Sequence, residues 1–375
     1  FVNGVACTDV FYIPGTGMPS SVWSMDNTAM SVFGQMDYQI SDSLTATLGL
    51  AYSDDSKDVS GDITIIDAFA ALPLQAAGLG ALSGLQFFPA FRNYPNADEN
   101  GKFDSDDVTH TLSLSYAMSD STSIYMTHSS GFKATSVNMT VDARDVRAAD
   151  PEDATNIEIG LKTTFDNGYL NLAFFDQNIE GFQSNAFSGT GFNLVNAGKE
   201  SHKGVELDSM LALSENLMLR VSAMSLDAVY DSFEKGTCDT TGLAEPEYQC
   251  PAGQPYVDLS GLNPAGIHDL SANANIVYSF NLGGALDGFA RLEYVYEEDT
   301  NLADLIPVSI AERGFKNVNA SLGFNADNWS IMFWGRNITD HETLYSAFPT
   351  TAAPGSFSGY PSAPSTYGVT FKMNL

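Results

Sequence analysis

The sequence predicts an all-β chain: an antiparallel transmembrane β-barrel, incomplete here, with about thirteen strands present. Three observations carry that prediction. Large apolar residues alternate with small or polar ones at period two, over segments of about ten residues or more, the length a tilted membrane-crossing strand needs. The residues between them are Ser, Thr, Asn and Gly with some charge, which suits a wet interior, while Tyr and Trp gather toward segment ends as in interface girdles. The connections alternate strictly between short turns and longer loops, a rule of outer-membrane barrels that a soluble sandwich has no reason to follow.

The alternation is explicit in the residues. Leu44, Ala46, Leu48, Leu50 and Tyr52 alternate with Thr45, Thr47 and Gly49. Leu112, Leu114, Tyr116 and Met118 alternate with Thr111, Ser113 and Ser115, and Ile157, Ile159 and Leu161 with Asn156, Glu158, Gly160 and Lys162. Leu270 to Phe280 and Tyr367 to Leu375 repeat the pattern. The aromatic ends are Tyr52, Tyr116, Tyr125, Tyr169, Tyr294, Tyr296 and Trp329. Strands are expected to begin near residues 29, 44, 107, 122, 154, 169, 199, 217, 268, 288, 313, 328 and 365. Short turns fall at 41–43, 119–121, 166–168, 214–216, 283–287 and 326–327, and long loops at 57–106, 135–153, 187–198, 234–267, 300–312 and 341–364. The apolar run from Ala68 to Phe88 is interrupted by Pro73, Gln75, Gly78, Gly80, Gly84 and Gln86, so it reads as loop, partly helical, rather than as a membrane helix.

Charged residues are 17% of the 375, below the soluble average of about 25%. The 46 acids outnumber 16 bases, a net charge of −30, which excludes nucleic acid as a partner. An odd strand count is unusual, since single-chain bacterial barrels have even numbers. Residues 1–28 therefore read as the end of an extracellular loop, and 29–375 as the C-terminal portion of a barrel with strands upstream. A strand at Val10 to Ile13, completing fourteen, is the alternative.

Several motifs together resemble the barrel of TonB-dependent receptors. They are Ser31-Val32-Phe33-Gly34-Gln35 ahead of Leu44 to Tyr52, Gly131-Phe132-Lys133, Asp150-Pro151-Glu152 ahead of Asn156 to Lys162, and Asn196-Ala197-Gly198-Lys199 ahead of Lys203 to Leu207. Trp334 to Asp340 resembles the family's penultimate strand and Tyr367-Gly368-Val369 the start of its last. The family usually has Gly after Gly-Phe-Lys-Ser, where Ala134, Thr135 and Ser136 stand here, and it usually ends in Phe, where Leu375 stands. The resemblance covers 29–375. It implies a barrel of about 22 strands with a plugged lumen. It also implies residence in the outer membrane among lipid and lipopolysaccharide, and energy coupling to TonB through an N-terminal part with no counterpart in these residues. The expected role is receptor and transporter for a scarce, bulky nutrient: siderophore, cobalamin, glycan or similar. A passive porin or surface adhesin is the alternative. No ligand-binding residues can be assigned.

No catalytic set emerges, and an enzyme is not expected. His110, His128, His202, His268 and His341 are isolated in sequence. One window has calcium-loop spacing: Asn96, Asp98, Asn100, Asp104 and Asp107, with Gly101 at the sharp turn. The plainer reading is a solvated Asn-Gly turn entering a strand. Calcium is the one cofactor this spacing suggests. Cys238 and Cys250 bracket a short Gly/Pro-containing segment and are expected to form a loop disulfide in an oxidising compartment, Cys7 being left over. Unpaired thiols are the alternative. Lys133, Arg144 and Arg147 could meet an anionic ligand or lipopolysaccharide, or pair with Asp142, Asp145 and Asp150.

Overall fold

In a computed structural model, residues 20–64, 73, 76–78, 101–137, 148–187, 192–239, 242–252, 256–303, 305–350 and 356–374 are described. Thirteen long strands form one antiparallel sheet: β1 Ser20–Ser41, β2 Leu44–Thr64, β3 Gly101–Ser119, β4 Thr122–Lys133, β5 Glu152–Phe165, β6 Gly168–Glu180 and β7 Lys199–Ser214. Then follow β8 Leu217–Ser232, β9 Leu270–Asn281, β10 Asp287–Asn301, β11 Glu312–Asn325, β12 Trp329–Arg336 and β13 Thr366–Met373. Each strand pairs with its neighbours in this series, so the sheet is a simple meander. β1 and β13 are its two edges and do not pair with each other.

All thirteen expected strands are present, and short and long connections alternate as expected. The boundaries differ at the loop ends. β1 starts at Ser20, within the segment expected as loop, and β2 and β3 stay paired as far as Val59 and Gly101. The reason is physical. Apolar alternation stops where a strand leaves lipid, but the backbone ladder does not have to stop there. Polar pairs such as Asn27 with Lys57 and Ser56 with Asp104 extend the hairpins into water. Cys7 and nearly all of 68–88 lie outside the described residues.

Register assigns the faces. Leu48, Leu112 and Ile157 share the outward side with Ile276, Leu292, Leu322 and Phe333, and all are strongly exposed to the surroundings, which a bilayer supplies. Fully buried apolar side chains sit elsewhere. Ala197, Tyr230, Phe233, Ala244, Tyr248 and Leu259 form one small core, and Ile306 and Ala347 a second. Both cores belong to the extracellular loops and the strand ends that carry them.

Candidate functional site

Period two also builds the inward wall. On β4 and β5, Tyr125 and Glu158 face the interior, and the Tyr125 hydroxyl donates to the Glu158 carboxylate at 2.5 Å. The Lys162 ammonium lies 4.9 Å from the centre of the Tyr125 ring. Tyr125 is thus no girdle residue, contrary to its place among the aromatic strand ends; Tyr169 is also inward, opposite Met210. Tyr52, Tyr116, Tyr294, Tyr296 and Trp329 do face outward with the apolar set.

Further along the wall, the Arg291 guanidinium donates to Glu293 at 2.9 Å, and Asn319 donates to the same carboxylate at 3.0 Å. The Trp334 indole donates to the Thr370 hydroxyl at 3.2 Å, with Arg336 5.3 Å above its ring. These residues border a recess of about 390 Å³. A second recess of about 390 Å³ is acidic, with Glu206, Asp208 and Glu297 on its lining. The wall therefore offers one recess that carries Arg291 and Arg336 beside Glu293, and a separate one lined by carboxylates. Such a wall can bind polar matter.

Above the wall, the loop between β8 and β9 is folded around its own core. Cys238 and Cys250 are joined by a disulfide with Cα atoms 4.9 Å apart. Asp239 Oδ2 accepts from the backbone N–H groups of Leu243 and Ala244, at 2.8 and 3.0 Å. Glu245 then reaches the next loop, accepting from the Val308 N–H at 3.2 Å. Beneath it, Glu200 is almost wholly buried, with one carboxylate oxygen bonded to the His202 ring at 2.8 Å.

The residues that carry the family resemblance turn out to be clasps. The Asn196 side chain accepts from the Asp150 N–H at 2.7 Å and donates to the carbonyls of Asp150 and Gly181, at 3.0 and 2.6 Å. Gly181 has φ +68°, and a Cβ there would meet the Pro151 carbonyl. Asn337, with φ 48°, donates to the carbonyls of His341 and Ala363, at 3.1 and 3.0 Å, and closes the turn after β12. Backbone groups at strand tops need such partners where the ladder ends.

The calcium window does not take the form its spacing predicted. Gly101 to Asp107 run as strand, and Asp104 and Asp107 lie three residues apart, hence on opposite faces. One ion cannot take both. Asp104 instead faces Lys102 at 3.1 Å. Its carboxyl is held below its ordinary range by hydrogen bonds from Ser56 and Lys102. Asn96, Asp98 and Asn100 lie outside the described residues. Lys133 pairs with Glu152 at 3.4 Å, whereas Arg144 and Arg147 lie outside the described residues. Two histidines isolated in sequence do meet: His110 Nε2 and His128 Nδ1 are 2.9 Å apart on the outward face. Cross-strand register, invisible until the strands are paired, is what brings them together.

The profile of the family described as TonB dependent receptor-like, beta-barrel, matches residues 6–338. The chain belongs to that family. It is an outer-membrane β-barrel protein. Solved structures agree on the fold. The ferric yersiniabactin uptake receptor FyuA from Yersinia pestis superposes with a TM-score of 0.70 at 14% identity, over 97% of this chain and 48% of that one. The siderophore receptor PiuA from Acinetobacter baumannii gives 0.64 at 15% identity, over 93% and 43%. The copper transporter OprC gives 0.62 at 13% identity, over 93% and 50%. The chain spans about half the length of each of these three proteins of like fold.

Proposed function

We propose that this chain is the wall of an outer-membrane receptor that takes up a scarce, bulky nutrient with energy from TonB. The observation that carries the reading is the pairing of a polar, charge-partitioned inner wall with an extracellular loop folded around its own core and disulfide. A simple diffusion pore needs no built loop domain above it, whereas capture of a dilute ligand benefits from a rigid, preorganised surface. The loops make first contact with the ligand, and the alternating acidic and basic patches of the wall meet polar groups during passage. Coupling to TonB runs through a segment outside the wall. The cargo class that the fold neighbours favour is a metal chelate such as a ferric siderophore. No reaction is assigned to the chain.

The test is uptake. Cells carrying the gene and grown without iron should accumulate a radiolabelled ferric siderophore, drawn from a panel that also includes cobalamin and an oligosaccharide. Uptake should stop when the proton gradient is dissipated. Accumulation that persists without the gradient would show a passive pore, and binding of none of the panel would remove the cargo assignment.

A further inference from the structure

The loop between β10 and β11 contains one helical turn, Val308–Ala311, preceded by Pro307. The first N–H of a helical turn has no acceptor within the turn, and a proline side chain cannot cap it. No acidic residue of the turn itself stands in its first positions. The acceptor comes from another loop. Glu245, between β8 and β9, takes the Val308 N–H on Oε1 at 3.2 Å.

Both ends of this contact are anchored. On one side, Ala244 and Tyr248 are buried in the core that Phe233 and Leu259 complete, and the disulfide closes the same segment. The Glu245 carbonyl accepts from the Tyr248 N–H at 3.0 Å, and Pro246 restricts the backbone as it leaves Glu245. On the other side, Ile306 is fully buried against Ala347, and Ile310 packs on the same pair. The Ile310 N–H donates to the Pro307 carbonyl at 2.8 Å. Leu344 and Phe357, from the loop between β12 and β13, also pack on that second core. Glu245 thus joins two separate hydrophobic cores and, through the second, reaches a third loop.

The two lobes also meet where they leave the strands. The Gly266 N–H donates to the Asn301 carbonyl at 2.7 Å, and the Thr300 hydroxyl donates to the Ile267 carbonyl at 2.5 Å. A joint at the foot alone leaves two rigid lobes free to hinge apart. A second joint farther out restrains that hinge. Glu245 is half-buried, whereas Glu247, two residues on, is exposed. A half-buried carboxylate that accepts an N–H is among the stronger hydrogen bonds, and its removal leaves the donor without a partner.

We infer that Glu245 is a positioning residue that makes the disulfide-closed lobe and the lobe built on Ile306 open and close as one body. A ligand seated against either lobe then shifts the opening equilibrium of the other. The donor at Val308 is backbone, so the joint makes no demand on the side chains of the second loop. The coupling is a property of the loops and holds whatever the cargo.

The experiment uses the protein purified from outer membranes in mild detergent, with amide hydrogen exchange read by mass spectrometry. Glu245→Ala should speed exchange at 306–311 about tenfold, the loss of one hydrogen bond to a charged group, and leave 257–262 unchanged. Glu247→Ala, which removes the neighbouring exposed charge, should change neither. A double-mutant cycle with the disulfide reads the coupling itself. In the parent, Cys238→Ser with Cys250→Ser should speed exchange at 306–311 and 344–349 as well as in its own loop. With Glu245→Ala present, the same cysteine change should no longer reach 306–311. Glu245→Gln, whose amide oxygen still accepts the N–H, should keep most of the coupling. Disulfide loss that leaves 306–311 untouched in the parent, or speeds it equally with and without Glu245, would overturn the inference. So would a Glu245→Ala protein in which 257–262 quickens as much as 306–311, since Glu245 would then support only its own lobe.

Discussion

The spanning strands and the loop between β8 and β9 solve the same problem in opposite ways. In the strands, large apolar side chains such as Leu292, Phe333 and Phe371 point outward and are exposed, while polar ones line the interior. In the loop, Phe233, Tyr248 and Leu259 are buried at 5%, 8% and 2% exposure, and a disulfide closes the segment. The first arrangement leaves its apolar surface to lipid. The second must hide its own, because it folds in water. The difference teaches that one chain obeys two hydrophobic rules, and that the border between them runs along the strand tops.

The sharpest way to break this comparison is to swap solvents. Leu292→Arg, on the outward face, should destabilise the barrel by roughly 2–4 kcal/mol if the site is near mid-bilayer. Asn273→Arg, on the inward face of β9, should cost far less. Urea titration of barrels folded into lipid vesicles checks both, and equal costs would refute the assignment of faces.

The loop should respond to a different lever. Loss of the disulfide by Cys238→Ser with Cys250→Ser should loosen 233–269 by about 3 kcal/mol, the entropy of closing so short a loop. Proteolysis should then cut the loop while the barrel keeps its heat-resistant mobility on gels. A barrel that unfolds together with the loop would contradict the separation of the two regions.

Inside the wall the expected effect is smaller. Glu158→Gln replaces a charge-assisted hydrogen bond to Tyr125 by a neutral one, at about 1 kcal/mol. Vesicle unfolding should register that shift with the strand pairing unchanged by infrared spectroscopy.

Smallest is a pH effect in the loop. The Ser260 hydroxyl and N–H both donate to Asp258 and hold its carboxyl below the ordinary carboxylate range. A depressed folded-state value means that its stabilisation is complete above the ordinary carboxylate range. It is lost as pH falls through the depressed value. Hydrogen exchange around 258–262 should therefore quicken on acidification, and Asp258→Asn should flatten the response.

Much of the fold was legible because membrane strands carry their geometry in every second residue. Leu112, Leu114 and Tyr116 state both a strand and its outward face. The strand tops were not legible, since Asn27, Lys57 and Asp104 have no alternation to display; hydrogen bonding alone extends β1 to β3 into water. The disulfide could be expected from Cys238 and Cys250 because two cysteines in one loop have few choices. The inner site was harder. Tyr125 reads as an interface aromatic until register places it opposite Gly160 and beside Glu158. The calcium spacing is a loop pattern, and it could not show that strand pairing places Asp104 and Asp107 on opposite faces of β3. The meeting of His110 with His128 depends on a diagonal across two strands that no local pattern encodes.

The meander has a consequence for how such a chain can change over generations. Every long strand touches only the strands next to it in sequence, and each short turn joins a complete down-and-up pair. A hairpin gained or lost as a unit leaves every other pairing intact and returns the chain to the same side of the membrane. Barrel circumference can thus vary in steps of two strands by duplication of gene segments, while the long loop that joins one hairpin to the next diversifies independently. Selection for a new cargo can then act on one loop, such as 233–269, without renegotiating the wall beneath it.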